Sequence, residues 1–421
     1  MSDDWLGNGS PSSEFMRRAY GEYEPGMDID PPDPWFRIKE WGVDKYLGSA
    51  PPVDYLIDGI LPRAIPAVIA GMGSVGKSLL CLEMCIRISS AGGLGVSSVL
   101  GGTIPKRGRT VFITTEESQD AIHRRLNSLV REEDKKKLED WFYVIPLTVV
   151  GMRALLTVKN GEYKMTDAWY ELVEQLRGIP DLALVVLDPM QALVQADMND
   201  PAAAQAFWSA VAELCQVTGA TVLLTHHMRK EGSKEVNGPM ESRELVRGST
   251  SIVDGARWCY TLYLPSQKVR DSIEQVTGEV YDEMSIVQGC VVKSNDIGMT
   301  SVRTFIRDKV SGLLVDRSDE LEEELEAHKH LSPEQEQQVF GIVSTRWSDG
   351  DPFSHHAAAK SRYLGSWMVA HMDITKAAAQ EYINGWLGSG KLSKEPHPSI
   401  RRAQGLRFNP STSPKLPKNY P

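Results

Sequence analysis

Short apolar runs rich in β-branched residues recur at 67–70, 110–114, 182–187 and 221–225, and the stretches between them carry helical spacing. Each run is apolar at nearly every position rather than at alternate ones, the pattern of a strand covered on both faces. Such runs separated by helices predict an α/β fold with a mostly parallel sheet. Two further strands are expected at 259–264 and 288–293, extending the same sheet, and a helix over 119–130.

The pattern changes at both ends. Residues 1–50 lack apolar periodicity and hold ten acidic residues against five basic ones. They are expected to form an acidic extension, with Trp35, Phe36 and Trp41 available as anchors on a neighbour. The acid-dense run DRSDELEEELE reads as a linker or a solvated helix, placing a linker at 316–330 between a core at 51–315 and a C-terminal region from 331. Helical periods at 332–346, 356–371 and 374–388 come next, then a turn at Gly388 and Gly390 and a basic stretch through Arg401, Arg402 and Arg407. That order describes a small winged-helix-like domain at 331–408. The tail at 409–421, with Pro410, Pro414, Pro417 and Pro421, is expected to be extended.

Charge narrows the function classes. Among 421 residues, 46 Lys and Arg face 56 Asp and Glu, a formal charge of −10. A surface uniformly basic for nucleic acid is excluded, although a local basic groove or pore is not. No apolar run is long enough to span a membrane; that at 60–70 is broken by Pro62 and Pro66. The chain opens on Asp3 and Asp4 rather than a secretory signal, and five scattered cysteines form no disulfide framework. A cytoplasmic protein with free thiols is expected. Cys81 and Cys85 stand one helical turn apart with no second ligand pair, which is too little for zinc.

The run GMGSVGKS at 71–78 follows an apolar strand and opens a helix, the context in which a glycine-rich loop cradles phosphates. Glycines let backbone amides turn inward, and the helix N-terminus adds positive potential. Gly71, Gly73, Ser74, Val75, Gly76, Lys77, Ser78 and Leu79 are the expected ATP-binding residues, with Lys77 on the β- and γ-phosphates and Ser78 on Mg²⁺. The strand at 182–187 ends in Asp188, suited to hold Mg²⁺ with Ser78. The strand at 110–114 ends in Glu116 and Glu117; one is expected to act as base for the attacking water, Glu116 for preference, and the other to cap the following helix. The strand at 221–225 delivers His226 and His227, an imidazole pair able to report the γ-phosphate. A polar, Gly-bearing loop at 228–244 follows, carrying Arg229, Lys230 and Lys234.

A P-loop, a Glu-ended strand, an Asp-ended strand, then a polar-ended strand and a loop make the motif order of a RecA-like motor core. The runs GMGSVGKS, TTEESQDAIHRRL, LALVVLDP, TVLLTHHMRK and RGSTSIVDGARW resemble the plasmid RepA family of hexameric replicative helicases and its phage and mobile-element relatives, over about residues 55–265. The resemblance implies that Lys77 and Ser78 are the P-loop pair, Glu116 the catalytic glutamate and Asp188 the Mg²⁺-linked aspartate. It further makes His227 the γ-phosphate sensor and Arg247 an arginine inserted into a neighbouring subunit's site. One position departs from the wider replicative-helicase pattern: Lys293 matches a basic position, but Asn295 stands where an arginine is often found. The leading expectation is a homohexameric ring that moves on single-stranded DNA, with 228–244 lining the pore and binding DNA through Arg229, Lys230 and Lys234. A loading factor or primase is an expected partner. An ATP-switched replication initiator or regulator binding duplex through 331–421 is the alternative, and a RecA-like recombination ATPase a third.

Overall fold

The computed structural model describes residues 38–91, 98–228, 236, 238–246, 250–295, 301–372, 374–399 and 404–410. The chain divides into two compact units, Met1–Val53 and Asp54–Pro421. In the first, the described residues form two short 3-10 turns, Ile38–Glu40 and Val43–Tyr46. There the Lys45 ammonium lies 4.8 Å from the centre of the Trp41 ring. Trp35 and Phe36 lie outside the described residues, as does the tail beyond 410.

The second unit is built on a nine-stranded sheet. Its strands are β1 (Pro66–Gly71), β2 (Arg109–Thr114), β3 (Phe142–Pro146), β4 (Leu182–Asp188), β5 (Thr221–His227), β6 (Trp258–Tyr263), β7 (Ile286–Ser294), β8 (Arg303–Arg307) and β9 (Leu314–Asp316). Their order across the sheet is β9-β8-β7-β6-β1-β5-β4-β2-β3. The six from β6 to β3 run parallel, and β7, β8 and β9 add an antiparallel flank.

Successive residues of β1 point to opposite faces, and both faces are apolar. Val68 and Ala70 pack under α4 (Pro201–Thr218) beside Phe207 and Val211, together with Trp169 and Leu176 of α3 (Asp167–Arg177). Ala67 and Ile69 pack under α1 (Lys77–Ser90), beside Cys81, Met84 and Cys85. This two-sided burial is why β1 and β4 read as unbroken apolar runs: every residue of both strands is buried. All five cysteines are buried free thiols.

The expected helix over 119–130 is α2 (Gln119–Leu129), but its N-cap is neither glutamate. Ser118 caps it, its Oγ accepting from Ala121 N at 3.2 Å. A hydroxyl is short enough to turn back onto its own first turn. Glu117 instead reaches Arg125, one face of the helix away.

The acid-rich segment forms α6 (Ser318–Ala327). Leu321 is its one buried residue and packs on Ile273 of α5 (Gln267–Thr277), with Tyr281 and Ile286. Arg303 ties α6 to the sheet through Asp316 at 2.9 Å and Asp319 at 2.8 Å. Next come α7 (Pro333–Ser348), α8 (Leu364–Met372) and α9 (Lys376–Gly388), then an antiparallel hairpin of β10 (Leu392–Pro396) and β11 (Gln404–Phe408). They enclose their own core around Val339, Phe340, Met368, Ile383 and Leu406. The single helix expected over 356–371 is two pieces, a 3-10 turn Ala357–Arg362 and α8. They break at Tyr363, which pairs with Ser354, while Lys360 sits at φ 49°, outside helical space.

Candidate active site

Because the central strands are parallel, the ends of β1, β2, β4 and β5 fall on one edge of the sheet, where α/β folds collect ligands. β5 lies between β1 and β4, which sets the histidines between the phosphate loop and Asp188.

The loop leaves β1 at Gly71 and reaches α1 through two backbones at positive φ, Ser74 at 62° and Gly76 at 111°. These turns point successive amides to one side, a concavity made for oxyanions. Glycine is required at two points. A Cβ on Gly71 would meet the backbone oxygen Leu262 O at 2.9 Å, while Gly76 holds φ 111°, which residues with a side chain rarely adopt, and Leu314 Cδ1 stands 2.9 Å from where its Cβ would be. Val75 is fully buried beneath the loop and Leu79 nearly so.

Lys77 is only 5 % exposed. Its Nζ donates to Gly71 O at 2.9 Å and Met72 O at 2.8 Å. A third neighbour is His227 Nδ1 at 3.3 Å. An ammonium has no lone pair to accept with, so His227 Nδ1 is the acceptor and its proton sits on Nε2. That Nε2 faces Glu116 Oε1 at 3.9 Å. One chain of contacts therefore runs from Lys77 through His227 to Glu116. Burial draws the Lys77 pKa down to about 8. Burial, and then the Lys77 charge, lower that of His227.

His226, the neighbour, points away. Its Nδ1 lies 3.1 Å from Gln191 Nε2, and burial takes its pKa down to about 4, so it stays neutral. Of the two glutamates, Glu116 faces His227 with half its side chain exposed. Its amide donates to Thr114 Oγ1 at 3.3 Å, turning the chain at the strand end. Glu117 is held by Arg125 at 2.7 Å, and burial raises its pKa.

Asp188 is 2 % exposed. Its Oδ1 accepts from Ser78 Oγ at 3.1 Å and from Thr225 Oγ1 at 2.5 Å. Its Oδ2 is buried without a hydrogen-bond partner among the described residues. A buried carboxyl oxygen so placed, with a serine hydroxyl on the same side chain, fits a hard divalent cation. Ser78 and Asp188 are the residues that would hold Mg²⁺.

The structure brings together Lys77, Ser78, Glu116, Asp188 and His227. Arg229, Lys230, Lys234 and Arg247 lie outside the described residues. Sequence reasoning missed Thr225 and Gln191, which orient Asp188 and His226; each is a polar residue at the end of an apolar run or just past one. It also left Lys293 without a role. That Nζ donates to Val253 O and Asp254 O, both at 2.8 Å, closing the C-terminus of the helix Thr250–Gly255.

Residues 31–233 match a family model described as an AAA domain. No curated protein matches the chain. Solved structures similar to it include the flagellar accessory protein FlaH from Methanocaldococcus jannaschii, at 15 % identity and a TM-score of 0.38, covering 62 % of this chain and 92 % of that one. The AAA-domain match at residues 31–233, a glycine loop between a buried strand and a helix, and a carboxylate two strands away together support a RecA-like P-loop ATPase.

Proposed function

We propose that this chain is an ATP-dependent DNA helicase, a ring-forming motor on single-stranded DNA. The observation that carries the proposal is the chain from Lys77 through His227 to Glu116. A group that touches both the phosphate lysine and the candidate base feels whether a γ-phosphate is present. His227 is also the last residue of β5, so its displacement passes directly into the segment carrying Arg229, Lys230 and Lys234; the loop expected over 228–244 ends earlier than that, at the helix Pro239–Val246.

In this reading the attacking water forms a bond to the γ-phosphorus as the bond from that phosphorus to the bridging oxygen breaks. Glu116 takes the water's proton, and ADP and phosphate leave. Lys77 holds the γ-phosphate and the loop amides hold the β-phosphate. Mg²⁺ held by Ser78 and Asp188 supplies charge neutralisation when bound. Arg247 of a neighbouring subunit stabilises the charge that develops on the transferred phosphoryl group, which makes the ring, taken as a homohexamer, part of the catalyst.

A second reading is an ATP-switched binder of duplex DNA acting through a winged-helix-like C-terminal domain. Three helices and a hairpin around one core support it. Against it, several of the described cations there are engaged at home: Arg407 with Glu395 at 2.7 Å, Lys391 with Glu336 at 2.8 Å, and Arg346 with Asp351. Strand displacement on a forked duplex separates the readings. The motor unwinds the fork with ATP turnover stimulated by single strands; a protein that binds duplex and turns over ATP without displacing a strand is the switch.

A further inference from the structure

The outer side of the phosphate loop is closed by one residue of the antiparallel flank. Arg307, the last residue of β8, spreads its guanidinium over four backbone carbonyls. Nη2 donates to Val75 O at 2.9 Å and Ser74 O at 3.3 Å, Nη1 to Gly312 O at 3.1 Å, and Nε to Met284 O at 3.1 Å. We propose that Arg307 is a positioning residue for nucleotide binding: it pins the outward carbonyls of Ser74 and Val75 so that the amides of the same loop stay turned toward the phosphates.

Three observations carry this. The loop needs an external constraint, because Ser74, at φ 62°, occupies left-handed space that disfavours any residue with a Cβ. Such a backbone persists only where its surroundings over-determine it. A peptide whose amide faces inward also turns its carbonyl outward, and a carbonyl at a packed surface needs a donor. Arg307 supplies donors to two consecutive carbonyls.

The clamp is itself rigid. Arg307 lies opposite Leu314 in the β8–β9 pairing, and Leu314 is the side chain that a Cβ on Gly76 would strike. Cross-strand partners therefore brace neighbouring residues of the loop. The turn joining them is fixed by Asp308, whose Oδ1 accepts from Ser311 N at 2.7 Å, Ser311 Oγ at 2.6 Å and Val310 N at 3.2 Å. Gly312 O is thus held where Nη1 needs it.

The guanidinium's four acceptors are all neutral carbonyls, so no carboxylate among them cancels its charge. That charge adds to the potential behind the phosphate-binding amides. The role concerns the ATPase core alone and does not depend on the motor reading.

The test uses the full chain with Arg307→Gln and Arg307→Lys. Titration with a fluorescent ADP in the presence of Mg²⁺ gives Kd, steady-state turnover gives kcat and KM for ATP, and thermal melts without nucleotide report the fold. The expected result for Arg307→Gln is a rise in Kd and KM of about tenfold or more with kcat within about threefold. Arg307→Lys falls between, since an ammonium keeps the charge but reaches fewer carbonyls. An unmoved KM and Kd overturns the proposal, whether kcat stays level or falls together with the melting temperature as for a residue that only supports the fold. If Arg307→Gln does not fold, the same split is read on Arg307→Lys alone, with a rise in KM supporting and an unchanged KM overturning the proposal.

Discussion

The ammonium of Lys77 rests on two carbonyls of its own loop, with burial holding its pKa near 8 against an ordinary value of 10.5. Phosphate oxygens brought against it favour the charged form and raise that pKa again. Below pH 8 the lysine is already protonated and binding moves no proton. Above pH 8 binding takes one up, so nucleotide affinity falls as pH rises, by up to tenfold per unit. Calorimetry at pH 9 in two buffers of different ionisation heat measures the uptake, and Lys77→Met is expected to abolish both the uptake and turnover. The two glutamates separate equally sharply. Glu116→Gln is expected to keep nucleotide affinity within a few-fold while turnover drops by about 10²- to 10⁴-fold. Glu117, bound to Arg125, is expected to leave turnover within about tenfold when changed to Gln. A Glu116→Gln enzyme turning over at near wild-type rate would move the base elsewhere.

At the scale of elements, the segment after the histidines is anchored from the antiparallel flank rather than from the parallel sheet alone. Ser242, on the helix Pro239–Val246, shares a buried hydrogen bond of 2.9 Å with Thr261 of β6. Lys293 of β7 closes the helix Thr250–Gly255. Arg247 falls between these two anchored helices in sequence. Lys293→Met leaves two carbonyls without their charged donor, a loss of about 1–2 kcal/mol. That corresponds to a melting temperature lower by roughly 1–3 °C in a unit of this size. Calorimetric melting at an unchanged temperature would mean that the helix end is satisfied by solvent and Lys293 is dispensable to it.

For the whole molecule, a net charge of −10 means that the DNA contact of the motor reading would fall to local groups. The C-terminal domain keeps Lys391 and Arg407 on its own carboxylates, and Gln275 of α5 bonds both Ile374 O, at 2.5 Å, and Lys376 N, at 3.2 Å, at the start of α9. The segment after His227 joins the ATP site directly and groups Arg229, Lys230 and Lys234, although 228–244 as a whole carries four basic and four acidic residues. In the motor reading, phosphate contacts there are insensitive to base sequence and weaken with salt. Replacing both Lys230 and Lys234 by Ala is expected to lower the log–log salt slope of single-strand binding by ~0.7 per lysine. DNA stimulation of turnover should be lost and basal turnover kept. An unchanged slope in the double variant would direct attention to the C-terminal domain.

Much of this was legible in the sequence because local chemistry dictates it. Two-sided burial makes β1, β2, β4 and β5 continuous apolar runs, and the turn of a phosphate loop favours glycine at 76, where φ is 111°. β3, whose residues are only partly covered, is also a continuous apolar run, FYVIP, and went unread although its pattern was there. Roles set by partners distant in sequence were not legible. That His227 touches Lys77 across 150 residues and that Arg307 braces a loop 232 residues away depend on strand order. A lone charged residue looks the same in sequence whether it faces solvent or a carbonyl. The residue types available for phosphate and water chemistry were therefore determined by sequence alone, and their assignment to partners was decided only when β5 settled between β1 and β4 and the antiparallel flank closed over the loop.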